Sequence, residues 1–182
     1  MVTLPTDSKN IDRLSRYRTF RRGMDTGDLI EFRSNSVIGC GIRWKTGNRV
    51  NHTAPVIRLK RYAEERVFLL EALEHGIVIN LLSRRLENFD GYAEWLGVKQ
   101  QYIHFRRDIG RAMLSYVGVP YDYGSIIRQL FARVSADAEK LFCSEFAAIA
   151  LKDAGLPVSL DPVPYPGDMV ALGIHRSPLR IL

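Results

Sequence analysis

The chain has 182 residues, of which 46% are hydrophobic and 25% charged, and 26 Lys and Arg against 20 Asp and Glu give a formal net charge of +6. This composition excludes a mainly disordered chain, and two cysteines are too few for a small domain held together by disulfides. The length predicts one domain with a hydrophobic core of its own. Free thiols are typical of a reducing compartment, and the positive charge favours anionic partners without identifying one.

Targeting signals are not evident in the sequence. No window of 18 apolar residues could span a bilayer, and residues 1–22 lack the apolar core of a secretory signal. We therefore expect no transmembrane segment, and a protein that is cytoplasmic as synthesised or is carried out of the cell in a phage particle.

The first predicted element is an amphipathic helix over residues 10–22, with apolar residues at three-residue spacing and arginines between them. We interpret residues 1–24 as a docking appendage whose apolar side contacts protein and whose basic side faces water. Contact with nucleic acid or anionic lipid is the less favoured alternative, because no folded binding motif accompanies the basic residues.

Short β-branched or aromatic runs follow, without a crossover helix between them, and predict a curled antiparallel sheet of about five strands. These strands are expected at residues 28–32, 54–59, 67–73, 76–82 and 101–105. Pro55 lies inside the second of them and lacks a ladder N–H, which predicts an edge position or a bulge there.

The second half of the chain has helical periodicity, with helices expected at residues 108–117, 125–134 and 143–154. The Pro-rich tail, residues 159–182, is expected to wrap the surface, with one late strand or turn at residues 165–170. Strands followed by helices predict an α+β domain over residues 25–182, and not a parallel α/β sheet.

Cys143 is the first candidate for chemistry, because it falls in the first turn of the third predicted helix. Free backbone N–H groups at that place lower the pKa of a thiol and can later hold an oxyanion. A small buried packing residue is the alternative for a lone cysteine. Cys40, between two glycines with no helix after it, is interpreted as a packing residue.

A nucleophilic thiol needs a base, and the chain has four histidines. His52 follows a polar turn and opens a strand, where its side chain can project over the end of the sheet; an ordinary turn histidine is the alternative. His75 and His175 are expected to be exposed, and His104 suits either core or surface.

Glu71 lies inside an apolar run, where a charge is costly unless it is paired. It is the candidate for orienting the imidazole, and the alternative is an outward-facing position on an edge strand. Metal-ligand spacings, phosphate-binding loops and the G-x-S-x-G motif are all absent from the sequence, so no metal and no cofactor are predicted.

The order of these segments resembles a known family. The segments are GDLIEF (27–32), NHTAPVI (51–57), LEA (70–72) before GIV (76–78), GVPYDY (118–123), FCSEF (142–146) and DAGL (153–156). Together they resemble the circularly permuted NlpC-like cysteine hydrolases of papain fold, the YiiX type, which are related to the lecithin retinol acyltransferase group.

This resemblance implies a permuted papain-like fold in which the histidine strand precedes the nucleophile helix. It implies Cys143 as nucleophile, His52 as general base and Glu71 as the residue that orients the base. Tyr121 and Tyr123 match the aromatic segment that lines the family's cleft, where one of them donates to the oxyanion or the substrate, beside the N–H of Cys143.

The implied function is a cysteine hydrolase that cleaves an amide bond, with a cell-wall peptide as the first candidate substrate. A thiol acyltransferase or lipid hydrolase using the same residues is one alternative. A structural component of an assembly such as a phage tail, with the basic N-terminal helix contacting a protein partner, is the other.

Overall fold

An open sheet of six antiparallel strands is the centre of the computed structural model, which describes residues 13–35, 50–61, 64–73, 76–118 and 138–182. The strands are β1 (Leu29–Ser34), β2 (His52–Arg61), β3 (Glu64–Leu73), β4 (Gly76–Leu81), β5 (Gly91–Leu96) and β6 (Leu179–Arg180). They lie in the order β4-β3-β2-β1-β5-β6, which leaves β4 and β6 at the two edges.

Within the described ranges, four α-helices pack around this sheet: α1 (Ser15–Phe20), α2 (Leu82–Glu87), α3 (Arg106–Ser115) and α4 (Ala138–Asp153). The same ranges contain three 3-10 helices, at Arg21–Gly23, Gln100–Phe105 and Pro166–Leu172. The α+β class and the antiparallel sheet are confirmed. In the described part of the chain, no helix has the length and apolar character needed to cross a membrane.

Both faces of the sheet are buried, each against its own hydrophobic cluster. Successive side chains of a strand point to opposite sides and so enter the two clusters alternately. Leu29 and Leu70 face α3 and α4, whereas their neighbours Ile30 and Leu69 face α1, α2 and the C-terminal residues. The strands therefore read as nearly continuous apolar runs, and a charged residue inside one of them needs a partner.

One predicted strand was placed incorrectly. Residues 101–105 belong to a 3-10 helix that leads directly into α3, and the fifth strand is Gly91–Leu96, which the apolar pattern did not reveal. Residues 165–170, expected as a strand or a turn, fall largely in the 3-10 helix Pro166–Leu172, which has proline at its first position, and a late strand lies at Leu179–Arg180.

The C-terminal tail enters the core instead of wrapping the surface. Ile174, Ile181 and Leu182 are buried, and β6 pairs with β5. His175, expected to be exposed, is only 1% exposed, and its Nε2 lies 2.9 Å from the carbonyl oxygen of Gly27. The local sequence pattern could not predict the burial of the tail, because the residues that pair with it lie about 80 to 150 residues earlier in the chain.

Pro55 lies in a central strand and not at an edge, because β2 pairs with both β1 and β3. The ladder between β2 and β3 begins only at Val56, opposite Leu69, while Pro55 pairs with Leu29 of β1. The backbone N–H of Val56 donates to the carbonyl of Asp28, on the side of β1. Because successive N–H groups of a strand point in opposite directions, an N–H at Pro55 would point toward β3. The β2–β3 ladder has already ended there, so the proline removes no ladder hydrogen bond.

Helix α1 begins at Ser15, within the predicted span of residues 10–22, and residues 1–12 lie outside the described part. Leu14 and Tyr17 are each 4% exposed and pack in the same cluster as Ile30 and Phe32. The apolar side of this segment therefore contacts the domain's own sheet.

Candidate active site

The separation of β2 from β3 creates the place where the predicted site residues meet. Val56 is paired with Leu69, and continuing this register sets Glu71 opposite Ala54, with His52 two residues farther along β2 on the same face. Diagonal neighbours of this kind are within reach of long side chains. Glu71 and His52 therefore lie where the two strands no longer pair.

His52 and Glu71 are in direct contact. The Nε2 atom of His52 lies 3.0 Å from Oε1 of Glu71, whose side chain is 2% exposed. The imidazole ring also packs against the ring of Phe32, with centroids 5.7 Å apart. Because Nε2 is used by Glu71, Nδ1 is the ring nitrogen left to face Cys143.

Glu71 is a buried, paired carboxylate and does not face water from an edge strand. Its Oε2 accepts a hydrogen bond from Nδ2 of Asn80 at 2.7 Å, and its Oε1 also accepts one from Nε of Arg85 at 3.2 Å. Burial by itself would raise the pKa of Glu71, but the hydrogen bonds and charges of His52, Asn80 and Arg85 lower it to about 2. Glu71 is therefore ionised at neutral pH.

Cys143 lies farther inside its helix than predicted. Helix α4 begins at Ala138, so Cys143 is its sixth residue and stands in the second turn. Residues 138–141 are Ala, Glu, Lys and Leu, which are strong helix formers and extend the helix toward its N-terminus. The placement of Cys143 in the first turn was therefore wrong. An N–H in the second turn ordinarily bonds within the helix, and the part of the Cys143 N–H in an oxyanion site stays a prediction.

The Cys143 thiol is nevertheless placed against the imidazole of His52. The side chain of Cys143 is within hydrogen-bonding reach of His52 and of the backbone N–H groups of Thr53 and Ser144. Burial by itself would raise the pKa of the thiol, but the charge of His52 and these hydrogen bonds lower it below its ordinary value. Cys143 is 1% exposed.

The pKa of His52 moves in the opposite direction. Burial would lower it, but the charges and hydrogen bonds of Cys143 and Glu71 raise the pKa of His52 to about 10. A thiol with a lowered pKa beside an imidazole with a raised pKa favours the thiolate–imidazolium form of the pair. This is the charge state that a nucleophilic cysteine requires.

The C-terminal segment holds the residues that follow His52 and Cys143. Oγ1 of Thr53 donates to the carbonyl of Pro166 at 3.0 Å, and Oγ of Ser144 donates to the carbonyl of Pro164 at 2.7 Å. Thr53 and Ser144 are both fully buried. The C-terminal tail lies beyond the segments that carry the family resemblance. These two hydrogen bonds nevertheless make it a structural part of the site.

Some predicted residues do not enter this description. Tyr121, Tyr123, Cys40 and His75, and the helix expected over residues 125–134, lie outside the described part of the chain. His104 is exposed, in the 3-10 helix before α3. His175 is buried and comes well after the candidate site residues in the sequence. Burial lowers the pKa of its imidazole to about 4.

Sequence reasoning missed Asn80 and Arg85. Asn80 could have been found, because it is the polar residue in an otherwise apolar strand, and the tight β3–β4 hairpin sets it opposite Leu69, two residues from Glu71. Arg85 carries no such signal. Its position depends on the direction in which α2 leaves β4.

Comparison with known proteins finds a solved structure of similar fold. No family model matches the sequence, and no curated protein matches it either. The fold is similar to the crystal structure of the metalloprotein yiiX from Escherichia coli O157:H7, with a TM-score of 0.52 and 21% sequence identity. The match covers 72% of this chain and 67% of that one, and it shows a YiiX-like fold.

Proposed function

We propose that this protein is a cysteine hydrolase that cleaves an amide bond, with Cys143 as nucleophile, His52 as general base and acid, and Glu71 as the residue that orients the imidazole. The observation that carries the proposal is the continuous contact from the Cys143 thiol through His52 to the buried Glu71 carboxylate, 3.0 Å from the imidazole. Its occurrence on a YiiX-like fold adds support.

The reaction follows from the charge state of this pair. The Cys143 thiolate attacks the carbonyl carbon, and the imidazolium of His52 gives its proton to the leaving amine as the C–N bond breaks. Water then attacks the thioester, with neutral His52 accepting its proton, and the acid product and the thiolate are released. Glu71, fixed by its own hydrogen bonds, keeps the ring in one orientation throughout.

The chain order His52, Glu71, Cys143 supports placing the protein with the permuted NlpC-like hydrolases, and hence with the lecithin retinol acyltransferase group. By that resemblance, the proposed substrate is a peptide of the cell wall, and Tyr121 and Tyr123 are the proposed cleft residues. The basic segment over residues 1–24 is proposed to contact a protein partner.

A metal-based mechanism finds no support in the described residues. The neighbour is called a metalloprotein, but no group of three His, Cys, Asp or Glu side chains is placed to hold an ion in the part of the chain described here. At Glu71, the guanidinium of Arg85 already occupies Oε1, and its charge opposes a cation there.

The test measures release of new amino groups from a peptidoglycan digest by the full chain. We expect turnover by the wild type and by Cys40→Ala, and loss of at least about a thousandfold for Cys143→Ala, because the nucleophile is removed. Full turnover by Cys143→Ala would refute the mechanism.

Two further outcomes separate the alternatives. Cys143-dependent release of fatty acid from phospholipid vesicles, without cleavage of the digest, would replace the amide substrate by an acyl lipid. No turnover of either, together with a Cys143 thiol that titrates like a small free thiol, would favour a structural module.

A further inference from the structure

The Glu71 carboxylate is held by donors from three different elements. His52 on β2 and Arg85 on α2 share its Oε1, at 3.0 and 3.2 Å, and Asn80 on β4 occupies its Oε2 at 2.7 Å. A carboxylate oxygen can accept two such bonds, so Arg85 adds to the contact with His52 and does not displace it.

Arg85 is itself fixed in place. Its guanidinium carbon lies 5.2 Å from the ring centroids of both Phe32 and Phe89, and these two rings pack edge to face with centroids 5.0 Å apart. Leu82 and Leu86, on either side of it in α2, are fully buried and anchor the helix. The side chain of Arg85 is 35% exposed and so is not enclosed by protein. Its contacts with the two rings and the anchored helix restrict its position.

We propose that Arg85 is a positioning residue of this site, which fixes the Glu71 carboxylate so that Oε1 stays directed at His52. The inference rests on the proposed function, since it assigns Arg85 a role in the same group of residues. Phe32 packs against both residues, since its ring centroid lies 5.2 Å from the guanidinium carbon of Arg85 and 5.7 Å from the centroid of the His52 imidazole.

The charges around Glu71 indicate what Arg85 controls. The groups that face the carboxylate are His52 from β2, Arg85 from α2 and the neutral amide of Asn80 from β4, with Cys143 of α4 beyond His52. The guanidinium helps to keep the pKa of Glu71 low. Without it, Glu71 takes up a proton at higher pH, His52 loses its counter-charge, and the thiolate of Cys143 becomes less stable.

The experiment follows alkylation of Cys143 by iodoacetamide across the acidic and neutral range, with Cys40→Ala as the background so that a single thiol reacts. Since Cys143 is buried, the shape of the pH profile is compared and not the absolute rate. For Arg85→Gln we expect the acid limb to move to higher pH. The shift should be smaller than the one unit or more that an arginine exerts on a carboxyl group beside it, because Cys143 senses the change through Glu71 and His52. Arg85→Lys, which keeps the charge, should recover most of this shift.

Arg84→Gln is the matched control. Arg84 precedes Arg85 in α2, is 77% exposed and pairs with Glu87 at 3.6 Å, so its loss should leave the profile unchanged. Arg85→Met, which keeps an unbranched aliphatic side chain over the two rings, is the second variant in case Arg85→Gln does not fold. An unshifted acid limb in either folded variant overturns the proposal for Arg85.

Alkylation requires no substrate, so this result is independent of the bond that is cleaved. A wild-type thiol that titrates like a small free thiol would instead contradict the thiolate–imidazolium pair, and with it the proposed function. The two failures are therefore distinguishable.

Discussion

Glu71→Gln replaces a carboxylate by an amide of the same shape and so removes mainly charge. The pKa of Glu71 is about 2, against an ordinary value of 4.5, because its hydrogen bonds and the charges of His52 and Arg85 outweigh the effect of burial. This difference corresponds to about 3 kcal/mol of folding free energy. The side chain is 2% exposed, so solvent screening reduces this contribution little.

The sign of the pH dependence follows from the direction of the shift. A carboxyl group whose pKa is lower in the folded state stabilises that state fully above its unfolded pKa and loses this contribution as pH falls through the folded pKa. We therefore expect Glu71→Gln to cost about 3 kcal/mol at neutral pH. The difference from wild type should shrink below about pH 4.5 and disappear near pH 2.

Urea unfolding of both proteins at several pH values measures this difference. Glu65→Gln is the control on the same strand, since the side chain of Glu65 is 41% exposed and forms a partly exposed ion pair with Arg58 at 3.4 Å. This variant should change stability by less than about 1 kcal/mol. Equal stability of Glu71→Gln and wild type at neutral pH, or a difference that does not vary with pH, would refute the assignment of a buried charged Glu71.

Three further predictions concern the residues that support the site. Thr53→Val should lower the unfolding free energy by about 1–3 kcal/mol in urea, because a buried carbonyl loses its donor. Asp28→Asn should cost about 3 kcal/mol by the same measurement, since it leaves Arg106 without its buried partner; an unchanged midpoint would contradict this. The pKa of His175 is lowered by burial, so wild-type stability should fall between about pH 6.5 and pH 4, and His175→Gln should lack this fall in acid titrations.

Much of the site was predictable from local features. Cys143 in a late amphipathic helix, His52 at the start of a strand and Glu71 inside an apolar run were each identified by type and place. Each also had an ordinary structural explanation, and only their order along the chain favoured chemistry. The structure adds that Glu71 is 2% exposed and paired, which the cost of burying a charge had led us to expect.

Two of the three main errors share one physical cause. A 3-10 helix replaced a strand at Gln100–Phe105, and the tail entered the core. In both cases a neighbouring segment decided the outcome: α3 continued from the 3-10 helix, and β5 supplied the partner for β6. Local pattern contains no information about such partners, whereas the early start of the Cys143 helix agrees with the strong helix formers at residues 138–141.

The sequence by itself determined the α+β class and the antiparallel strands, because these follow from periodicity and residue type. It also singled out, through residue type and the order of the segments, the three side chains to which the proposed chemistry is assigned. Only the tertiary structure decided that β2 and β3 separate before His52 and Glu71, that α4 brings Cys143 against the imidazole, and that Arg85 shares Oε1 of Glu71. Distances between side chains remote in sequence are set by packing and register, which no segment encodes alone.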